Sequence, residues 1–336
     1  MCLLCQEASR PTGFDDVQEI MKKEIIDQAI HRSDLYGTTG EPTYSGALSF
    51  LRRKYTRDLK GVDVAVTGIP FDTATTNRPG TRYGPRSIRE ASTQVSWAQS
   101  DGWDFDAFDK LAVVDYGDCD FDHGRPEGVP ARIEEHVRSI ISENVGLLCL
   151  GGDHFVTYPI LKAHAEKYGP LSLIHFDAHS DTWEDEDGRV DHGTMFYHAA
   201  KDGIVNAEQS VQIGLRTFNK DAWGFNVLKA PWVHEQGIKA VVEKTKEIVG
   251  DRQCYLTFDI DCLDPSFAPG TGTPVVGGLS THQAQQILRG LAGVNLVGMD
   301  LVEVSPAYDV GDITSLAGAS LALEMLYIYA ANPGRK

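Results

Sequence analysis

Six side chains of two chemical kinds stand at equivalent places in this chain: His154, Asp177, His179, Asp181, Asp259 and Asp261. Asp177, His179 and Asp181 occupy alternate positions directly after the apolar run 171–176. Side chains alternate faces along an extended chain, so this spacing predicts three donors aimed at one point. His154 closes Gly-Gly-Asp-His154 after the apolar run 146–150, and Asp259 and Asp261 follow the run 254–258. One cation rarely takes so many protein donors. Two cations about 3.5 Å apart, sharing bridging carboxylates, would use them all. Four carboxylates also offset the charge of two divalent ions. Imidazole and carboxylate without thiolate suit Mn²⁺, Fe²⁺, Co²⁺ or Ni²⁺ better than a structural zinc. On the same alternation Cys262 faces away from Asp261 and reads as packing.

The elements that must position these donors are legible as an alternation. Apolar runs at 64–69, 111–114, 146–150, 171–176, 210–213, 254–258 and 296–299, with a weaker one at 225–228, are strand-like. Between them, 132–143, 156–166, 238–249, 281–291 and 315–331 have helical spacing. Such an alternation implies parallel strands joined by helical crossovers, hence an α/β sheet covered on both faces. Ligands of such sheets bind outside the carboxyl ends of the strands. Carboxylates or histidines follow the runs ending at 69, 150, 176, 258 and 299, and the last is followed by Asp300 and Glu303. Residues 61–336 are expected to form one catalytic domain. Residues 1–60 read as an extension with an amphipathic helix at 15–32 and a loop at 37–42, suited to contacts between subunits.

Charge and cysteine usage narrow the function classes. The chain carries 48 acidic and 31 basic residues, a formal net charge of -17. No basic cluster is present to neutralise phosphates, which argues against a nucleic-acid or anionic-membrane partner. The balance favours metal ions and cationic small molecules, although acidic surfaces also serve solubility alone. No apolar run reaches the roughly 20 residues of a bilayer span. The first residues do not have the pattern of a signal peptide. Six cysteines in a chain of 336 residues, Cys2-x-x-Cys5 among them without a second pair, point away from a disulfide framework and from a zinc site. A reducing, cytoplasmic setting is expected.

Three segments carry a resemblance: Gly-Gly-Asp-His154, Asp177-Ala-His-Ser-Asp181, and Phe258-Asp-Ile-Asp-Cys-Leu-Asp-Pro265 with its continuation to Pro274. Together they resemble the signatures of the arginase/agmatinase ureohydrolase family. The resemblance runs from about residue 60 to the C-terminus and includes Gly68-Ile-Pro-Phe-Asp72, Asp191-His-Gly-Thr-Met-Phe-Tyr197 and Val302-Glu-Val-Ser-Pro-Ala-Tyr-Asp309. Within the family the chain looks most like the bacterial agmatinases. The resemblance implies a three-layer α/β/α fold with an eight-stranded parallel sheet, two manganese ions, and hexameric assembly. It also implies that His154 and Asp181 hold one ion, that His179 and Asp261 hold the other, and that Asp177 and Asp259 bridge them. Glu303 matches the carboxylate that binds a substrate guanidinium, and His192 the histidine that transfers protons near the leaving group.

The chemistry fits these assignments. A guanidinium carbon is a poor electrophile and water a poor nucleophile, and two cations address the second problem by lowering the pKa of a shared water. Glu303 would orient the guanidinium. Asp181 would pass a proton to the leaving nitrogen, and His192 would exchange protons with solvent or the amine product. The expected reaction is hydrolysis of agmatine to putrescine and urea. Guanidinobutyrate, guanidine or a biguanide such as metformin remain alternatives, as do Ni²⁺ in place of Mn²⁺ and a trimeric, hexameric or hetero-oligomeric state. A non-catalytic partner subunit is a further alternative, which the intact donor set opposes. The acidic loop 182–191 is expected to overhang the pocket, with Trp183 adding bulk and its acids attracting a distal ammonium. The loop 77–85 is expected to border it, and Arg78, Arg82 and Arg189 are the cations that an anionic tail would want.

Overall fold

The structure is a computed structural model, described here for residues 27–38, 40–97, 99–185 and 188–332. Most of the helix expected at 15–32 and the Cys2/Cys5 pair therefore lie outside the described residues. Only Gln28–His31 is helical there.

One parallel sheet organises the chain. Its strands are β1 (Lys54–Tyr55), β2 (Val64–Ile69), β3 (Val113–Asp118), β4 (Gly146–Gly151), β5 (Ser172–Phe176), β6 (Val211–Ile213), β7 (Asn226–Leu228), β8 (Cys254–Asp259) and β9 (Leu296–Val302). Their order is β1-β3-β2-β4-β9-β8-β5-β6-β7, and every pairing is parallel. The sheet has nine strands rather than the expected eight. The additional one is β1, two residues long, half-exposed and too short to leave an apolar signature.

The principal helices are α1 (Gly84–Ser92), α2 (Val129–Ile141), α3 (Thr157–Tyr168), α4 (Met195–Lys201), α5 (Ala230–Val249), α6 (Thr281–Gly290) and α7 (Ile313–Ala330). They divide between the two faces of the sheet as the period of two along each strand requires. Val64, Val66, Leu148, Leu150, Ile174, Phe176, Leu256 and Phe258 pack with α1, α5, α6 and α7. Ala65, Leu147, Cys149, Leu173 and Tyr255, offset by one, pack with α2, α3 and α4. α7 is long and apolar enough to cross a membrane, but it is mostly buried inside the fold as a core helix. The four cysteines of the described residues, Cys119, Cys149, Cys254 and Cys262, are buried and free.

The carboxyl ends of β2, β4, β9, β8 and β5 lie side by side. Gly152 is where three of them meet. Its N–H donates to Ile69 and its carbonyl accepts from the Glu303 N–H. A Cβ there would lie 1.7 Å from the Phe71 carbonyl oxygen, so no other residue lets these strand ends close.

Candidate metal centre

All six predicted donors come together at these strand ends, but not by simple strand alternation. β5 stops at Phe176, so Asp177–Asp181 is loop, and Asp181 has a left-handed backbone with φ 49. β8 stops at Asp259, and Ile260–Cys262 is a 3₁₀ turn. Each loop is shaped by its own first carboxylate. Asp177 Oδ1 accepts the His179 N–H at 2.6 Å, and Asp259 Oδ1 accepts the Asp261 N–H at 2.7 Å. These short turns bring the second and third donors round to the first. The alternate spacing reports such turns, not an extended strand.

The donors form two adjoining groups. His154 Nδ1 lies 3.0 Å from Asp181 Oδ2, 3.1 Å from Asp177 Oδ2 and 3.3 Å from Asp259 Oδ2. His179 Nδ1 lies 3.1 Å from Asp261 Oδ2 and 3.3 Å from Asp177 Oδ1. Asp177 belongs to both groups, one oxygen to each. His154 Nδ1 is buried and makes no hydrogen bond despite three carboxylates around it, an arrangement of four donor atoms about one point. The nearly fully buried carboxylates are driven apart in acidity: despite burial, His175, His154 and His179 hold Asp177 well below the usual carboxylate range, whereas Asp181 and Asp259 are raised. Burial, then the charge of Asp177, pushes Asp181 up to about 7, and burial with Asp261 and Asp177 raises Asp259. Divalent cations at the two centres would remove this penalty, and the donor set fits them.

Behind the donors is a layer that sequence spacing did not reveal. His154 Nε2 lies 2.8 Å from Thr257 Oγ1, and that hydroxyl donates to Asp300 Oδ1 at 2.6 Å. Asp300 also accepts from Tyr255 and Thr157. Asp300 thus lies within β9 and backs His154 rather than extending the donor set. His175 is close enough to count as a donor itself. Its hydrogen bonds give it another task. The Gln212 amide donates to its Nδ1 at 3.1 Å and to the Ser180 carbonyl at 2.7 Å, so His175 Nε2 carries the hydrogen and donates to Asp177 Oδ2 at 2.7 Å.

Glu303 has a left-handed backbone, φ 64, which turns its side chain under the site at the end of β9. Its Oε1 accepts from the His154 N–H at 2.8 Å and meets His192 Nδ1 at 3.0 Å. Its Oε2 is buried and has no partner. His192 is held in a tight turn in which the Asp191 carboxylate accepts the Gly193 N–H and the Asp191 N–H donates to Thr194 Oγ1. The Trp183 backbone N–H donates to the Gly193 carbonyl and the indole lies against that glycine, which ties the predicted overhanging loop to His192.

A cavity of about 350 Å³ opens above the two groups, reached by Thr76, Trp183, Glu184, Asp185, Asp191 and His192. The three arginines considered for an anionic tail are all engaged. Arg82 pairs with buried Asp72. Arg78 stacks on the Tyr308 ring at 5.0 Å. Arg189, on the cavity rim, lies 3.2 Å from Asp185 and 3.2 Å from Asp191.

The model of the arginase family matches residues 62–327. The agmatinase of Chromobacterium violaceum is 55% identical over 310 residues, covering 91% of this chain and 96% of its own. Among solved structures, a hypothetical agmatinase from Burkholderia thailandensis is 57% identical with a TM-score of 0.89, covering 91% of this chain and 98% of that one. The proclavaminate amidino hydrolase of Streptomyces clavuligerus is 36% identical with a TM-score of 0.80, covering 87% and 99%.

Proposed function

The chain belongs to the arginase family, and on that premise we propose that it is an agmatinase, hydrolysing agmatine to putrescine and urea. The family implies a binuclear divalent metal centre, and the buried His/Asp cluster fits one. The observation that carries the substrate choice is the mouth of the cavity. Among the described residues, Glu184, Asp185 and Asp191 line it with one arginine, Arg189, which Asp185 and Asp191 already hold. A distal ammonium is attracted there, and the carboxylate of guanidinobutyrate is not.

When bound, the ions lower the pKa of a water and so supply the nucleophile. His154, Asp177, Asp181 and Asp259 would hold one ion, and His179, Asp261, Asp177 and Asp259 the other. Glu303 Oε2 receives the guanidinium N–H groups, and its other oxygen stays fixed by the His154 N–H. Desolvation makes that charge-assisted contact strong and orients the guanidinium carbon. Asp181 takes the proton of the attacking water and hands it to the tail nitrogen, whose bond to the central carbon breaks. His192 exchanges a proton with the departing amine. Trp183 bounds the pocket beside it.

For the finer points we propose Mn²⁺ as the resident ion, with Ni²⁺ the alternative to test. We also propose a cytoplasmic homo-oligomer, trimeric or hexameric, whose contacts use the region before residue 61. The cysteines found free fit a reducing compartment. Urea release from agmatine by protein reconstituted separately with Mn²⁺ and with Ni²⁺ tests the reading. No urea with either ion rejects it.

A further inference from the structure

Both ring nitrogens of His192 are engaged, by partners of different kinds. Nδ1 lies 3.0 Å from Glu303 Oε1. Nε2 lies 2.9 Å from the Thr76 backbone nitrogen and 2.7 Å from the Thr76 hydroxyl. A backbone N–H can only donate, so Nε2 must present its lone pair and the ring hydrogen must sit on Nδ1, directed at Glu303. We propose that Thr76 is a positioning residue for the hydrolytic reaction: its N–H and hydroxyl hold neutral His192 in the Nδ1–H tautomer and keep Nε2 as the bare, proton-accepting nitrogen. The catalytic consequence rests on the reading of His192 as the group that exchanges a proton with the departing amine.

The loop that carries Thr76 is itself anchored to the site. The Ala74 N–H donates to Asp153 Oδ2 at 2.9 Å. Asp153 precedes His154, whose N–H is held by Glu303. Thr76, His192, Glu303 and Asp153 therefore close a ring across the loops that leave β2, β4 and β9 and the turn before α4. His192 is only 7% exposed, and both it and Thr76 line the cavity.

The charges facing His192 act against this tautomer's neutrality. Burial disfavours the imidazolium, but the hydrogen bond and charge of Glu303, with Asp181 and Asp153, push His192 up to about 9. On its own segment Asp191 is paired with Arg189. The two Thr76 donors pull the other way, since each stabilises the bare Nε2. Removing the hydroxyl removes one of them.

The test uses the full chain, wild type against Thr76→Ala and Thr76→Ser. Histidine ¹⁵N NMR with Mg²⁺ as a diamagnetic occupant, and His192→Asn for assignment, reads which nitrogen carries the proton. The pH dependence of urea release from agmatine, with the protein's active ion, reads the consequence. Wild type and Thr76→Ser should show neutral His192 protonated at Nδ1. In Thr76→Ala the midpoint of His192 should rise by roughly half a unit to one unit, the worth of one hydrogen bond, and the pH–rate limb should move with it. Metal content should stay as in wild type. An Nε2–H tautomer in the wild-type ring, an unmoved midpoint in Thr76→Ala, or a failure of Thr76→Ser to restore it overturns the proposal. Absence of urea from agmatine would instead fell the substrate reading, and the spectra would still decide the role of Thr76.

Discussion

His154 and Thr257 are joined by a 2.8 Å hydrogen bond that turns the imidazole's other nitrogen toward the carboxylates. Because the Thr257 hydroxyl is committed as a donor to Asp300, it can only accept from His154 Nε2–H. That leaves Nδ1 as the lone pair for an ion. Thr257→Val keeps the shape and removes the acceptor. Metal affinity should fall about 10- to 100-fold, the usual cost of removing such a partner. Equilibrium dialysis checks it, and unchanged affinity would remove the relay from the account.

Asp259 stands against both donor groups, 3.3 Å from His154 and hydrogen-bonded to the Asp261 N–H. Asp259→Ala should therefore lose both ions and activity together. His154→Ala should lose one terminal ligand and activity with it. Full metal occupancy in either variant, read by elemental analysis, would contradict the donor assignment.

In the proposed reaction Glu303 acts on substrate, not on metal. Glu303→Gln keeps an oxygen for the His154 N–H but loses the charge that faces the guanidinium. Metal content and melting temperature should hold, while kcat/KM drops by about 2–4 kcal/mol of transition-state binding, roughly 30- to 1000-fold. Wild-type kinetics in this variant would take Glu303 out of the site.

Protons compete with metal at both groups. Burial works against charging His179, but Asp261 and Asp177 raise its pKa far above the ordinary 6.5, and Asp177, Asp181 and Asp259 do the same for His154. A raised histidine pKa means that the proton is still bound at neutral pH and must leave when the ion enters. Affinity should rise with pH, about tenfold per unit for each proton displaced, with release of acid on binding. Calorimetry in buffers of different ionisation enthalpy measures it. Affinity that is flat from pH 6 to pH 9, estimated to span about three orders of magnitude for one proton, would contradict this sign.

The donors themselves were legible because each follows an apolar run of strand length, and the sheet brings the ends of those runs together. What spacing could not show was how the loops turn. Asp177 and Asp259 cap their own loops, and that depends on side-chain-to-backbone bonds invisible to periodicity. His175, Thr257 and Asp300 sit inside strands, where they read as isolated polar residues until their neighbours from β4, β6 and the helices are placed. Thr76 belongs to a loop without periodicity, one residue before the stretch expected to border the pocket. β1 and α1 were missed for local reasons. β1 is two residues long, and α1 begins with Gly84-Pro85 and carries few apolar side chains.

The most direct test of the central claim is a comparison of kcat/KM for agmatine and for 4-guanidinobutyrate, made with the metal-loaded protein and with Arg189→Ala. The two compounds differ in the charge of the tail. The account predicts that agmatine is preferred by about a hundredfold or more, the worth of about 3 kcal/mol, and that Arg189→Ala leaves this preference intact or sharpens it. Preference for guanidinobutyrate, abolished by Arg189→Ala, would contradict it.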